Sequence, residues 1–133
     1  MTEASQDDPA YFAPLAGADF MVLTTYRASG EAVPTTVWFA EVAGRVYVTT
    51  NQNLKKVARI RATPAVLVAP SDRVGNLQGP AVSGRARVLG PDEAPAAEAA
   101  LRAKYGEMYT ATTARMDATQ PPNSRVFIEV TPP

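Results

Sequence analysis

At 133 residues, 46% of them hydrophobic, the chain has the material for one compact domain with a real core and is too apolar to stay disordered. It contains neither cysteine nor histidine, which excludes disulfides, zinc thiolates, thiol nucleophiles and any catalytic triad built on imidazole. The formal net charge is zero but unevenly placed: residues 45–87 carry eight lysines and arginines against Asp72 alone, a net +7 balanced by −7 elsewhere. That distribution suits a compact anionic ligand better than a nucleic-acid track.

Residues 1–10 read as a polar, acidic, flexible tail, and residues 11–133 as the folded domain. The start "MTEASQDDPA" has no basic segment and no apolar core, and no later run approaches 18 apolar residues, so a cytoplasmic protein without a membrane partner is expected. Asp8 before Pro9 can cap a short helix through "PAYFAPLAG", with Gly17 at its end. Strands follow at 20–27 and at "AVPTTVWFAEV", joined by a hairpin turn at Ser29-Gly30. In the second strand Val33, Thr35, Val37 and Phe39 share one face and Pro34, Thr36, Trp38 and Ala40 the other; both are largely uncharged, so both are expected to be covered.

A turn at Ala43-Gly44 leads to a third strand, "RVYVTT", giving a three-stranded antiparallel meander. Asn53 then caps a helix stopped by Thr63-Pro64. At 100° per residue, Leu54, Val57, Ala58 and Ala62 fall near one side, Lys55, Lys56 and Arg59 opposite, and Ile60 at the border. "AVLVAP" is a buried fourth strand, "SDRVGNLQG" a loop, and "AVSGRARVLG" a fifth strand whose wet face carries Arg85 and Arg87. A helix over "PDEAPAAEAALRAKYG", a vaguer helical stretch at 108–118, the break at Pro121-Pro122 and a last strand at 125–130 complete the chain. The pattern is mainly β: a six-stranded antiparallel β-barrel with peripheral helices.

No serine, threonine or acid is marked by its neighbours as a nucleophile, and no glycine-rich phosphate loop is present, so catalysis would belong to a bound cofactor. "VTTNQNLKK" is the candidate phosphate corner, with hydroxyls of Thr49 and Thr50, a helix start, and Lys55 and Lys56; its plain alternative is a solvated amphipathic helix. "PTTVWF" is a candidate ring platform, although a lone strand tryptophan also suits a core. "DRVGNLQG" reads either as a lid made mobile by Gly75 and Gly79 or as a plain connection, and Arg85 with Arg87 either meets an anionic tail or is the wet face of its strand.

Together, "FMVLTTYRASGEAVPTTVWFA", "RVYVTTNQNLKKVARIRATPAVLVAPSDRVG" and "GPAVSGRARVLG" followed by "ALRAKYG" resemble the flavin and deazaflavin oxidoreductases related to pyridoxamine phosphate oxidase, in particular the coenzyme F420-dependent subgroup. The resemblance implies a Greek-key split β-barrel and a homodimer with cofactor sites at the subunit interface. It also implies that Thr35, Thr36, Val37 and Trp38 lie beside the ring, that Thr49, Thr50, Lys55 and Lys56 hold the phosphate, and that Asn76, Gln78 and Gly79 add contacts. Leu54 and Lys55 depart from the small residue that relatives often place before the lysine. The implied activity is hydride transfer between F420 and an electron-poor small-molecule acceptor. FMN is the alternative cofactor, a non-catalytic flavin, haem or tetrapyrrole binder the alternative role, and single-stranded nucleic acid a third option weakened by the single aromatic near the basic cluster.

Overall fold

The computed structural model describes residues 10–52, 54–121 and 124–133. Seven strands, β1 (Phe20–Tyr26), β2 (Ala32–Val37), β3 (Ala40–Val42), β4 (Arg45–Asn51), β5 (Ala65–Ser71), β6 (Val82–Val88) and β7 (Arg125–Thr131), form one antiparallel sheet in the order β2-β1-β5-β6-β7-β4-β3. Three helices accompany them: α1 (Lys55–Ala62), α2 (Ala94–Tyr105) and α3 (Glu107–Thr119). The sheet's two edge strands, β2 and β3, are consecutive in the chain. The sheet therefore curls into a barrel whose seam is bridged by the covalent step through Trp38 and Phe39.

This step accounts for a seventh strand where six are expected from the sequence. The single strand predicted through "AVPTTVWFAEV" bends at Trp38-Phe39; its first half pairs with β1 and its second with β4. The expected meander is thus interrupted at the bend. The two turns fall where predicted: Gly30 (φ +92°) lies in the connection between β1 and β2, and Ala43 (φ +51°) with Gly44 (φ +85°) makes the two-residue β3–β4 turn. An alanine is an unusual choice at positive φ, and Glu41 Oε2 supports the turn by accepting from the Gly44 amide at 2.9 Å.

Alternation along each strand sends one apolar set into the barrel: Met21 and Leu23, Val37, Val46 and Val48, Val66 and Val68, Ala86, and Ile128 and Val130, with Phe39 at the bend. Phe12 and Leu15 from the N-terminal segment and Ile60 from α1 join this interior cluster. Where a helix through "PAYFAPLAG" is expected, only a 3-10 turn at Ala13–Leu15 forms, because Pro14 inside it withholds an amide donor. Residues 1–9 of the tail and the proposed caps Asp8 and Asn53 lie outside the described residues; Leu54 occupies the N-cap position of α1 and makes no side-chain capping bond. Outside the barrel, α2 and α3 bury Ala97, Leu101 and Tyr109 against Ala40, Leu89 and Phe127.

The sheet's outer face also carries a charged rung. Glu129 on β7, 4% exposed, accepts from Arg45 of β4 and Arg87 of β6 at 3.1 Å each. A carboxylate this deep is tolerable because both oxygens are paired.

Gly84 sets the tightest point of the wall. A Cβ there would stand 2.5 Å from Val130 Cγ1 and 3.2 Å from the Thr131 carbonyl oxygen. Gly84→Val is expected to lower unfolding free energy by about 1–3 kcal/mol through overpacking, measured by urea denaturation; an unchanged midpoint would contradict the close β6–β7 packing.

Candidate functional site

The predicted site residues fall on both sides of the barrel wall. On β2, Thr35 faces inward with Val33 and Val37, and its hydroxyl donates to the Leu23 carbonyl at 3.2 Å. Pro34 and Thr36 face outward and are exposed. The expectation that both faces are covered therefore fails at these two residues, which stay exposed although the loop through Gly75 reaches the Thr36 side chain. On β4, Thr50 points into the barrel, 5% exposed, whereas Thr49 faces out and donates to the Val126 carbonyl at 3.2 Å. Adjacent strand residues point to opposite faces, so the two hydroxyls cannot share a ligand on one side.

α1 docks differently from the simple periodicity. Val57 and Ile60 are buried, while Leu54, Ala58 and Ala62 are exposed. The large β-branched side chains take the core-facing position because they gain more from burial than alanine does. This rotates the helix relative to the expectation: Lys55 points to solvent, but Lys56 and Arg59 flank the buried stripe and are half-buried. Arg59 Nε donates to Thr25 Oγ1 at 2.7 Å, tying α1 to the inward face of β1.

Lys56 closes a cavity of about 210 Å³ together with Thr36, Val37 and Trp38 of the β2 end, Thr49 of β4, and Thr112, Thr113 and Met116 of α3. Five of the predicted site residues meet here. Among the described residues Lys56 has no ion-pair partner, and burial, with Arg59 pushing the same way, holds its pKa below the ordinary lysine value. An unpaired, partly desolvated ammonium is a poor stabiliser of the fold and a good receptor for an anion. Thr113 donates to the Tyr109 carbonyl at 2.9 Å, whereas the hydroxyls of Thr36 and Thr112 have no protein partner among the described residues. The donors on the wall thus include one ammonium and two hydroxyls, a set that fits phosphate oxygens.

Thr36 also borders a second cavity of about 350 Å³, which includes Thr35, Pro34 and Val22 on the sheet and Val74, Gly75 and Leu77 on the loop after β5. This loop is not loosely hung. Asp72 Oδ1 accepts from the amides of Val74 and Asn76 at 3.0 and 2.9 Å, Asp72 Oδ2 accepts from Asn76 Nδ2 at 2.9 Å, and the Gln78 amide donates to the Pro70 carbonyl at 2.8 Å. The hydrogen bond from the Asn76 side chain, first among several, holds the Asp72 carboxyl below its ordinary pKa. These bonds close the segment as a hydrogen-bonded turn between β5 and β6. Gly75, at φ +90°, lies so near β2 that a Cβ would stand 2.8 Å from Thr36 Oγ1. Asn76 serves the loop's own turn, Gly79 packs against Pro70, and neither they nor Gln78 lines the Lys56 cavity.

Trp38 is fixed from behind. Its indole stacks on Tyr105 of α2 with centroids 4.6 Å apart and planes 25° from parallel. The Tyr105 hydroxyl accepts from the Phe39 amide at 2.9 Å and lies 2.8 Å from the Phe39 carbonyl and 2.7 Å from that of Asp19. Next to it Lys104 donates to the Ala18 carbonyl at 2.8 Å and places its ammonium 3.4 Å from the Phe39 ring centroid. Burial lowers Lys104 to about 8, with Asp19 working the other way. Tyr105, and the α3 residues Thr112, Thr113 and Met116, escaped the sequence reading. Only a tyrosine near a helix end and a weakly patterned helix marked them.

The profile of the family described as pyridoxamine 5'-phosphate oxidase matches residues 8–133. Among solved structures, an F420 reductase is 25% identical, with a TM-score of 0.55 over 92% of this chain and 93% of its own. The haem storage protein HutZ of Vibrio cholerae is 13% identical with a TM-score of 0.68 over 97% and 92%, and a conserved hypothetical protein of Mycobacterium tuberculosis is 20% identical with a TM-score of 0.61 over 97% and 80%. Among curated proteins none shows significant sequence similarity. No helix among the described residues is long and apolar enough to cross a membrane.

Removing the Tyr105 hydroxyl tests the seam. Tyr105→Phe leaves the amide of Phe39, a residue 1% exposed, without its acceptor, and about 1–3 kcal/mol of stability should be lost in thermal or urea unfolding. Burial raises the Tyr105 phenol from 10.0 to about 12, so the stability it contributes is complete below pH 10 and lost as pH rises towards 12. The variant should show a shallower alkaline loss than the parent. Equal stability and an identical alkaline limb would rule out the clamp.

Proposed function

The chain belongs to the pyridoxamine 5'-phosphate oxidase family, and from that premise we propose that it is an oxidoreductase which binds a phosphorylated deazaflavin, coenzyme F420, with FMN as the alternative. The observation that carries this reading is Lys56: a half-buried ammonium without a carboxylate, on the wall of a cavity that also presents Thr36, Trp38 and Thr112. The F420 reductase neighbour supports the choice of deazaflavin, as does the +7 of residues 45–87.

Within this reading Lys56 neutralises the phosphate, the start of α1 adds its positive end, and Thr36 and Thr112 donate hydrogen bonds. Lys55, exposed on another side of α1, acts as a peripheral charge. At about 210 Å³ the Lys56 cavity is smaller than the usual pocket for a whole cofactor, so the remainder lies along the open outer face of β2. When bound, the deazaflavin would supply hydride chemistry towards an electron-poor small molecule. The chain's own task is to hold and orient it. A homodimer completes the site: Pro34 and Thr36 are uncovered, and Val74 and Leu77 beside them are 76% and 63% exposed, which a second copy would bury. The haem-storage neighbour makes haem the competing ligand, but no histidine or cysteine is present to ligate iron.

Trp38 fluorescence reports binding directly. Titration with F420, FMN, haemin and an oligonucleotide should give saturable quenching by F420 and weaker or no response to the others; no response to either F420 or FMN would overturn the reading, and preferential haemin binding would favour the competing ligand. Lys56→Ala should weaken F420 by about ten- to a hundredfold, the worth of one charge-assisted hydrogen bond. Because Lys56 must be protonated to hold phosphate and its pKa is lowered, affinity of the parent should decline at a pH below the ordinary lysine value of 10.5, and the alanine variant should lack that decline.

A further inference from the structure

At the other end of α1, about 12 Å from its start at 1.5 Å per residue, Arg61 faces a separate groove of about 480 Å³. Its other walls are Pro64, which follows the helix, and the run of β6 and its exit through Arg85, Arg87 and Val88 to Gly90. The three guanidinium groups are not equivalent. Arg87 is held by Glu129 at 3.1 Å and forked by Glu93, so its charge is spent within the fold. Arg61 and Arg85 are exposed, and their guanidinium groups have neither an ion-pair nor a hydrogen-bond partner among the described residues.

We propose that this groove is a second anion site, independent of the Lys56 cavity, which takes a phosphorylated small molecule with an apolar body. Two unpaired guanidinium groups bordering one concavity match a phosphate dianion, whose oxygens accept paired N–H donors from planar forks. Pro64 and Val88 offer an apolar wall to the rest of the molecule, as ligand grooves commonly do. A longer polyanion is disfavoured on the Arg87 side, where the exposed Glu93 carboxylate would repel its next phosphate. The groove also explains why Arg85, next but one to Arg87 on the same strand face, carries no matching acid although its neighbour carries two.

The probe is phenyl phosphate, followed by amide-resolved NMR on the intact chain. Saturable shifts should appear at Ala86 and Gly90, persist in Lys56→Ala, and weaken at least about tenfold in the double variant Arg61→Ala/Arg85→Ala, since each lost charged contact is worth roughly one decade. Both arginines are exposed, so the double variant should keep the parent's melting temperature and any loss is local. Inorganic phosphate should bind the groove more weakly than phenyl phosphate; equal affinity would overturn the apolar-body part. Shifts confined to the Lys56 cavity, an unchanged affinity in the double variant, or no saturation would overturn the site itself.

Discussion

One tyrosine hydroxyl holds the seam of this barrel. The strand that would run straight from Ala32 to Val42 must cross from one sheet edge to the other, and at the crossing the Phe39 amide and carbonyl lose their ladder partners. Tyr105 supplies an oxygen to the amide and lies within hydrogen-bond distance of the carbonyl, while its ring receives the indole of Trp38. A buried backbone group left unpaired costs as much as a lost hydrogen bond, so the bend and the helix that secures it require each other. Phe39 then turns into the barrel and Trp38 out to the cavity wall. Core closure and site formation are two results of the same contact.

Electrostatics divide the basic middle of the chain into groups with different duties. Arg45 and Arg87 are spent on Glu129, and Arg59 reaches Thr25. Among the described residues Lys56, Arg61 and Arg85 are left without a carboxylate partner. For Lys56, which is half-buried, an uncompensated charge near low-dielectric surroundings is unfavourable. All three border concave surfaces, Lys56 in one and the two arginines in another.

Much of the barrel is legible in the sequence because period-two alternation and turn residues coincide: Val46 and Val48 turn inward as their spacing demands, and Gly30 and Gly44 sit where positive φ is needed. The extra strand was not legible, since nothing between Pro34 and Val42 breaks the extended pattern; the break comes from Tyr105, 66 residues away. The phosphate corner was half legible. The sequence marks Lys56, but helical spacing alone weights Ala58 and Ala62 equally with Val57, and so misjudges by a quarter turn which side of α1 docks. Thr49 and Thr50 looked like partners although strand geometry separates them. Thr112 and Met116 could not be found from their own segment, because α3 has almost no amphipathic pattern to orient it.

Bridging the seam by chain rather than by hydrogen bonds leaves β2 with a bare outer edge, the kind of surface on which stray strands add and chains aggregate. Pro34 sits in the middle of that edge, and proline cannot donate to an incoming ladder. At the opposite edge β3 is only three residues long, too short to template much pairing. The protein can thus offer the β2 region to another molecule without becoming a seed for fibres: whatever docks there must be recognised through side chains, with Pro34 guarding the backbone.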